Sequence, residues 1–194
     1  MKKVLYILLF IFVASSAIAQ RSFNTWSYSM GFGAGDLKEY IETVSFRGVT
    51  YTYNKLVTDN VGVGLEIAWN TFYEEKPNDT YSQGRFDYSG KQWRYSNHVP
   101  LLFNLNYYFT LDDDLIPFVG MGIGTIYAER RTDMGQWAFT RDAWEFALKP
   151  EIGVIFDTGG AGVSLSGKYY YGFKTGDLPA QGYFTINIGF AFIN

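Results

Sequence analysis

Cysteine is absent and histidine occurs once, as His98, in a chain of 194 residues. Without cysteine there is no disulfide framework, no thiolate zinc site, no thiol nucleophile and no lipidated N-terminal cysteine. A single histidine excludes multi-histidine metal sites. Neither sign of charge dominates. Lys and Arg number 16 against 19 Asp and Glu, so no basic face exists for nucleic acid. Beyond the N-terminal residues no apolar run reaches the roughly 20 residues that a membrane-spanning helix needs.

What is present in excess is aromatic. Phe, Tyr and Trp make up 20% of the chain, with 17 Phe and 16 Tyr beside 21 Gly. Aromatic residues favour strands, and glycine favours turns over helices. The composition therefore predicts an all-β protein with many aromatics outside any water-soluble core.

Residues 1–19 read as a secretory signal peptide. Lys2 and Lys3 supply the positive start, Val4 to Val13 the apolar run, and Ala17-Ile18-Ala19 the small-x-small cleavage site. The run is too short for an anchor helix. The expected mature chain, 20–194, is then either soluble beyond the inner membrane or a barrel in an outer membrane.

The remainder repeats one pattern eight times: Thr25 to Gly35, Phe46 to Val57, Val61 to Tyr73, Trp93 to Phe109, Ile116 to Glu129, Ala143 to Phe156, Gly162 to Gly172 and Tyr183 to Asn194. Each segment alternates apolar with small or polar residues, which is the signature of a membrane β-barrel. In the third segment, for example, Val61, Val63, Leu65, Ile67 and Trp69 share one face. Gly62, Gly64, Glu66, Ala68 and Asn70 share the other. The connectors 57–60, 110–114 and 157–161 are short turns; those between are longer and more polar, and 74–92 is the longest. That asymmetry predicts periplasmic turns and outward-facing loops.

Facing follows from composition. A soluble barrel puts its apolar face inside. Here the polar face is Gly, Ser, Thr, Asn, Glu and Lys, which offers no oily interior to drive folding in water. In lipid the assignment inverts, because closure pairs every backbone group and the apolar face meets acyl chains. The expectation is an eight-stranded antiparallel up-and-down transmembrane β-barrel. Leu65, Leu105, Ile123, Leu148, Leu165 and Ile188 should face lipid at mid-height. Trp69, Tyr73, Trp93, Tyr95, Tyr127 and Trp144 are read as an upper interfacial girdle at one level, and Trp26, Tyr107, Phe109, Phe156 and Phe192 as a lower one.

Three stretches resemble the outer-membrane protein β-barrel domain family of small Gram-negative barrels. They are His98-Val99-Pro100-Leu101-Leu102-Phe103-Asn104-Leu105-Asn106-Tyr107-Tyr108-Phe109, Ile116-Pro117-Phe118-Val119-Gly120-Met121-Gly122-Ile123-Gly124, and Leu148-Lys149-Pro150-Glu151-Ile152-Gly153-Val154. The resemblance implies outer-membrane location, a monomer in outer-membrane lipid, and delivery by the barrel assembly machinery. Such barrels often end on an aromatic residue. This sequence finishes Phe190-Ala191-Phe192-Ile193-Asn194, which makes Phe192 the candidate signal. These motifs specify fold and assembly and leave activity open.

Candidate chemistry is sparse. Lipid-modifying barrels use a histidine near the lipid or the rim, but alternation points His98 inward unless Pro100 carries a bulge. Glycines 120, 122 and 124 lie in a strand, which excludes a phosphate loop; they leave room for facing side chains. Asp112 to Asp114 lack calcium-loop spacing. Glu66, Glu145, Lys149, Glu151 and Lys168 occupy the inward face with Asn104 and Asn106. Charges there must pair or be hydrated, so a network plugging the lumen is expected, with a pore lining as the alternative. Tyr81, Phe86 and Tyr88 in the longest loop are candidates for binding protein or glycan. No cofactor or metal is implied. Three functions remain: a non-enzymatic barrel presenting loops for envelope integrity, adhesion or partner docking; a narrow porin-like channel or transporter of small apolar solutes; and a lipid-modifying enzyme resting on His98.

Overall fold

The computed structural model describes residues 21–83 and 86–194, so the signal-peptide reading of residues 1–19 lies outside the described residues. Eight strands form one closed antiparallel sheet in sequence order. They are β1 (Ser22–Ala34), β2 (Gly48–Leu56), β3 (Val61–Gln83), β4 (Phe86–Tyr108), β5 (Leu115–Met134), β6 (Trp137–Asp157), β7 (Ala161–Gly172) and β8 (Gln181–Ile193). One short helix, α1 (Asp36–Tyr40), interrupts the β1–β2 connection. The ring closes between β1 and β8 from Phe23↔Ile193 to Ala34↔Gly182. Closure leaves no unpaired sheet edge, which is what lets strands cross a bilayer.

The short connections are hydrogen-bonded turns. At β6–β7, Gly159 and Gly160 hold φ of 94° and 89°, a region that a Cβ would make costly. The Thr158 amide donates to the Ala161 carbonyl at 2.9 Å. The opposite end carries the longer connections, and there the structure departs from the expected loops. Segment 74–92 is not a loop over the mouth. β3 and β4 stay paired from Glu74↔Arg94 to Gln83↔Phe86, with one register shift between Lys76 and Asp79, where Pro77 has no N–H to donate. β5 and β6 likewise continue to Met134↔Trp137. The two extensions stay joined by β4–β5 pairing out to Gln92↔Met134, and only the β3–β4 tip beyond it is a two-stranded ribbon. Beyond the lipid-facing belt the extensions carry no apolar alternation, so they read as loops in sequence.

The outer wall is apolar at mid-height. Phe103 is 68% and Ile152 65% exposed, and Leu65, Leu105, Ile123, Leu165 and Ile188 are exposed as well; Leu148 is half-buried. A belt of that area is untenable in water and is satisfied by acyl chains.

The interior corrects a second expectation. It is not uniformly polar. At the short-turn end Phe23 stacks on Tyr108 with ring centroids 4.6 Å apart, packed with Leu56, Ile116, Phe118, Ile155 and Ile193. At the long-connection end Leu37 and Ile41 drop in from α1 and its C-cap onto Phe72, Leu102, Ile126, Tyr170, Leu178 and Tyr183. A charged cluster lies in the band between them, while isolated polar groups such as His98 and Glu145 are buried nearer the long-connection end. Mid-strand alternation reports that band. The apolar ends draw on strand termini and on a connection, which no strand period includes.

Candidate functional site

The charged core of the polar band is built by three strands. Glu66 projects from β3, Lys149 and Glu151 from β6, and Lys168 from β7; all are buried. Glu151 and Lys168 are direct cross-strand partners, whereas β3 lies across the lumen from both. Lys149 Nζ reaches Glu66 Oε2 and Glu151 Oε2, each at 2.9 Å. Lys168 Nζ lies 2.6 Å from the same Glu66 oxygen and 3.6 Å from Glu151 Oε2. Tyr170 and Thr52 donate to Glu66 at 2.7 and 3.2 Å. Two cations face two anions, so the cluster is neutral and its members are mutually compensated.

The neighbouring β5 supplies the space. Gly120 faces Glu151 and Gly122 faces Lys149 in register. A Cβ at Gly120 would sit 2.7 Å from Glu151 Oε1, and one at Gly122 would sit 2.9 Å from Lys149 Cε. The glycines are therefore the floor on which the long side chains lie. Below the cluster, a polar pocket of about 20 Å³ is lined by Asn106, Tyr108, Glu151 and Lys168 among others, room for about one water.

The other inward candidates do not join these four. Asn104 and Asn106 are buried on β4, and Gly120 and Gly122 approach their side chains closely. Glu145 is fully buried further toward the long-connection end, with its carboxylate over Gly172. The outer aromatics fall on several register rows. Val99 faces Tyr127 and Tyr127 faces Trp144, while Tyr73 pairs with Tyr95, and Trp93 with Glu75, further out. At the other end Trp26, Tyr107, Phe109, Phe156 and Phe192 are all exposed on the outer wall.

His98 is fully buried inside the barrel, with Phe72 at 5.6 Å and Tyr183 at 5.0 Å between ring centroids. Pro100 introduces no bulge: Ile67↔Leu101 and Asn70↔His98 keep one register. The histidine does not face lipid. Its Nε2 lies 2.9 Å from Ser96 Oγ, a pairing that sequence reading missed although two-residue spacing on one strand face contains it. The pair has nucleophile–base spacing, but Ser96 is itself fully buried and Nδ1 has no hydrogen-bond partner to orient the ring.

A second site missed in sequence lies at the long-connection mouth. A cleft of about 530 Å³ opens between α1, the β3–β4 ribbon and β5. The Tyr40 ring is flanked by two guanidinium groups, Arg94 at 5.3 Å and Arg130 at 5.0 Å from its centroid. The Tyr40 hydroxyl donates to the Arg131 carbonyl at 2.8 Å and meets Thr132 Oγ1 at 2.7 Å. Burial raises its pKa above the usual phenol value, so the ring stays neutral between the two cations.

No family model and no curated protein matches the sequence. Solved structures do match. Neisserial surface protein A aligns with a TM-score of 0.52 at 10% identity, over 89% of this chain and 96% of that one. The chain has the small outer-membrane β-barrel fold. Two further barrels bear it out. Outer membrane protein OprG from Pseudomonas aeruginosa gives 0.50 at 16% identity, covering 90% of this chain and 93% of that one. The outer membrane protease OmpT from Escherichia coli gives 0.53 at 7%, covering 92% and 98%. At such identities the likeness is of fold, and this barrel's function rests on its own residues.

Proposed function

We propose that this barrel is a non-enzymatic integral outer-membrane protein that presents its long-connection end outside the cell, for envelope integrity, adhesion or partner docking. The observation that carries the reading is the ion cluster of Glu66, Lys149, Glu151 and Lys168. It joins β3 to β6 and β7 across a lumen that eight strands make only wide enough for side chains. A neutral, mutually paired plug between two apolar clusters is built to hold the wall rigid and opposes passage of hydrated solutes. Recognition surface is concentrated instead in the strand extensions, α1 and the mouth cleft. The protein acts as a monomer in outer-membrane lipid, inserted by the barrel assembly machinery after cleavage at Ala19. Burial of Ser96 and His98 supports the absence of hydrolytic chemistry there.

Conductance in planar bilayers tests this reading. The intact barrel should give little or no steady current, and a large, stable single-channel current would replace the plug with a pore. Cross-linking from the strand extensions in intact envelopes should capture partners at the outer surface.

One observation favours a second reading, a lateral path for small apolar solutes. An apolar groove of about 710 Å³ on the outer wall is lined by Phe32, Pro150, Ile152, Tyr169, Phe184 and Ile186. Pro150 gives β7 no N–H there, and the β6–β7 pairing passes from Leu148↔Tyr171 to Glu151↔Lys168. Glu151 and Lys168 border both this groove and the inner pocket. Uptake of a fluorescent fatty acid into proteoliposomes, abolished by Gly167→Trp, would support the path; equal uptake by empty liposomes would remove it.

A further inference from the structure

The mouth cleft holds two half-buried cations with no carboxylate in direct contact; Asp36 and Glu145 act on Arg130 only at longer range. Among the described residues neither Arg94 nor Arg130 forms an ion pair, although Arg131, Lys76 and Lys91 nearby all do. Their partners are neutral instead. Arg94 Nε donates to Gln92 Oε1 at 3.1 Å and Nη1 to the Tyr40 carbonyl at 3.0 Å. Arg130 donates from Nε and Nη2 to Gln181 Oε1, at 3.2 and 3.0 Å. Gln92 and Gln181 are buried, and the Gln181 amide is anchored on the Pro179 carbonyl at 2.5 Å. Both guanidinium groups are thus fixed in orientation by partners that leave their charge intact. Among the described residues, Arg94 Nη2 and Arg130 Nη1 have no hydrogen-bond partner. Oriented guanidinium groups with free donors and no contact ion pair are suited to an oxyanion.

The rest of the cleft indicates what carries the anion. At about 530 Å³ it far exceeds a bare ion and falls within the range of small-molecule sites. Its lining offers acceptors as well as donors: exposed Asp36 and Glu39 on one side, Thr132 and Thr80 on the other. Apolar surface comes from Met134, Pro179 and the rings of Tyr40 and Tyr81, and the polar share is larger. A hydroxyl-rich ligand with one charged end matches that distribution. An acyl chain would leave the carboxylates without donors.

We propose that this cleft binds a saccharide unit bearing one phosphate, sulfate or carboxylate, with the oxyanion on Arg94 and Arg130 and the sugar hydroxyls on Asp36, Glu39 and Thr132. The proposal rests on the interaction reading above and names its ligand class. The saccharide comes either from a glycolipid of the surrounding leaflet or from a free acidic glycan; the anion chemistry is the same.

The test is titration of the folded, detergent-solubilised barrel with glucose 6-phosphate, glucuronic acid and glucose, read by calorimetry. Glucose 6-phosphate and glucuronic acid should bind at least tenfold more tightly than glucose, and affinity should fall as salt rises. Arg94→Gln and Arg130→Gln should each lower affinity tenfold or more while the barrel keeps its heat-dependent gel mobility and strand signal. Asp36→Asn should weaken all three sugars without abolishing the preference for the charged ones. Repeating the titration in nanodiscs with and without lipopolysaccharide separates the two sources. Competition by the lipopolysaccharide supports the proposal and assigns the saccharide to the leaflet. Undiminished binding supports it and assigns a free glycan. Equal binding of glucose and glucose 6-phosphate, or unchanged affinity in the Arg94→Gln, Arg130→Gln double variant, would overturn the proposal. If no acidic sugar binds while outer-surface cross-links persist, the ligand assignment fails and the interaction reading stands; a large conductance removes the reading itself.

Discussion

The centre of the lumen and the β3–β4 ribbon both contain Lys–Glu pairs, and the pairs do opposite things. In the lumen Lys149, Lys168, Glu66 and Glu151 have almost no exposure. Each charge depends on the others, because none can be hydrated in bulk water. On the ribbon Lys91 pairs with Glu75, and both side chains are nearly half exposed. Water and salt replace that contact at almost no cost. Lys76 is intermediate, bridging Glu42 and Glu74 at 3.2 and 3.0 Å and so tying the ribbon to the β1–β2 connection. The same pair of residue types is structural in one setting and nearly neutral in the other. Dielectric environment decides which, and composition does not report it.

Breaking the lumen side of this comparison should have the largest effect. Lys149→Ala leaves Glu66 and Glu151 sharing Lys168 alone, and removal of one member of a buried pair costs about 3–5 kcal/mol. Urea titrations in lipid vesicles should show that loss together with raised leak in bilayers. An unchanged midpoint would mean that water already screens the cluster. Next comes the wall at the same height. Leu105→Arg places a charge in the acyl region and should cost about 2–4 kcal/mol, measurable in the same titration; no loss would put the facing of β4 in error. Smaller still is Gly122→Val, which pushes Lys149 off its floor. An overpacked contact of this kind costs about 1–3 kcal/mol, and Gly122→Val should cost less in a Lys149→Met background than in the intact barrel. The ribbon closes the series: Lys91→Gln should change stability by no more than about 0.5 kcal/mol. A loss comparable with that of Lys149→Ala would erase the distinction between the two settings.

Legibility in the sequence follows the same division. Where one strand face meets lipid and the other meets the lumen, alternation is strict, and β1 to β8 were readable from residues such as Leu65 against Glu66 or Leu105 against Asn106. Where the strands extend beyond the lipid-facing belt, as in residues 74–83 and 86–92, the period vanishes and paired strands read as a loop. Helix α1 was invisible because its lumen contacts, Leu37 and the adjoining Ile41, sit in a five-residue turn too short to show a helical stripe. Of the candidate residues, Glu66, Lys149, Glu151 and Lys168 could be assigned an inward facing by position. Arg94, Arg130 and Tyr40 could not be grouped, since they belong to two strands and a connection. Only the register of Ser96 against Arg130 and Arg94 against Thr132 brings them to one mouth.

From the sequence alone came an all-β chain, eight crossings, an outward apolar face and an inward polar one, because a two-residue period in a half-lipid environment is a local property. Closure decided the rest. Glu66 lies 83 residues from Lys149 and 102 from Lys168, and nothing local links them. They meet because an eight-stranded ring brings opposite walls within one side-chain length, and because unpaired charge in that narrow space is too costly to persist.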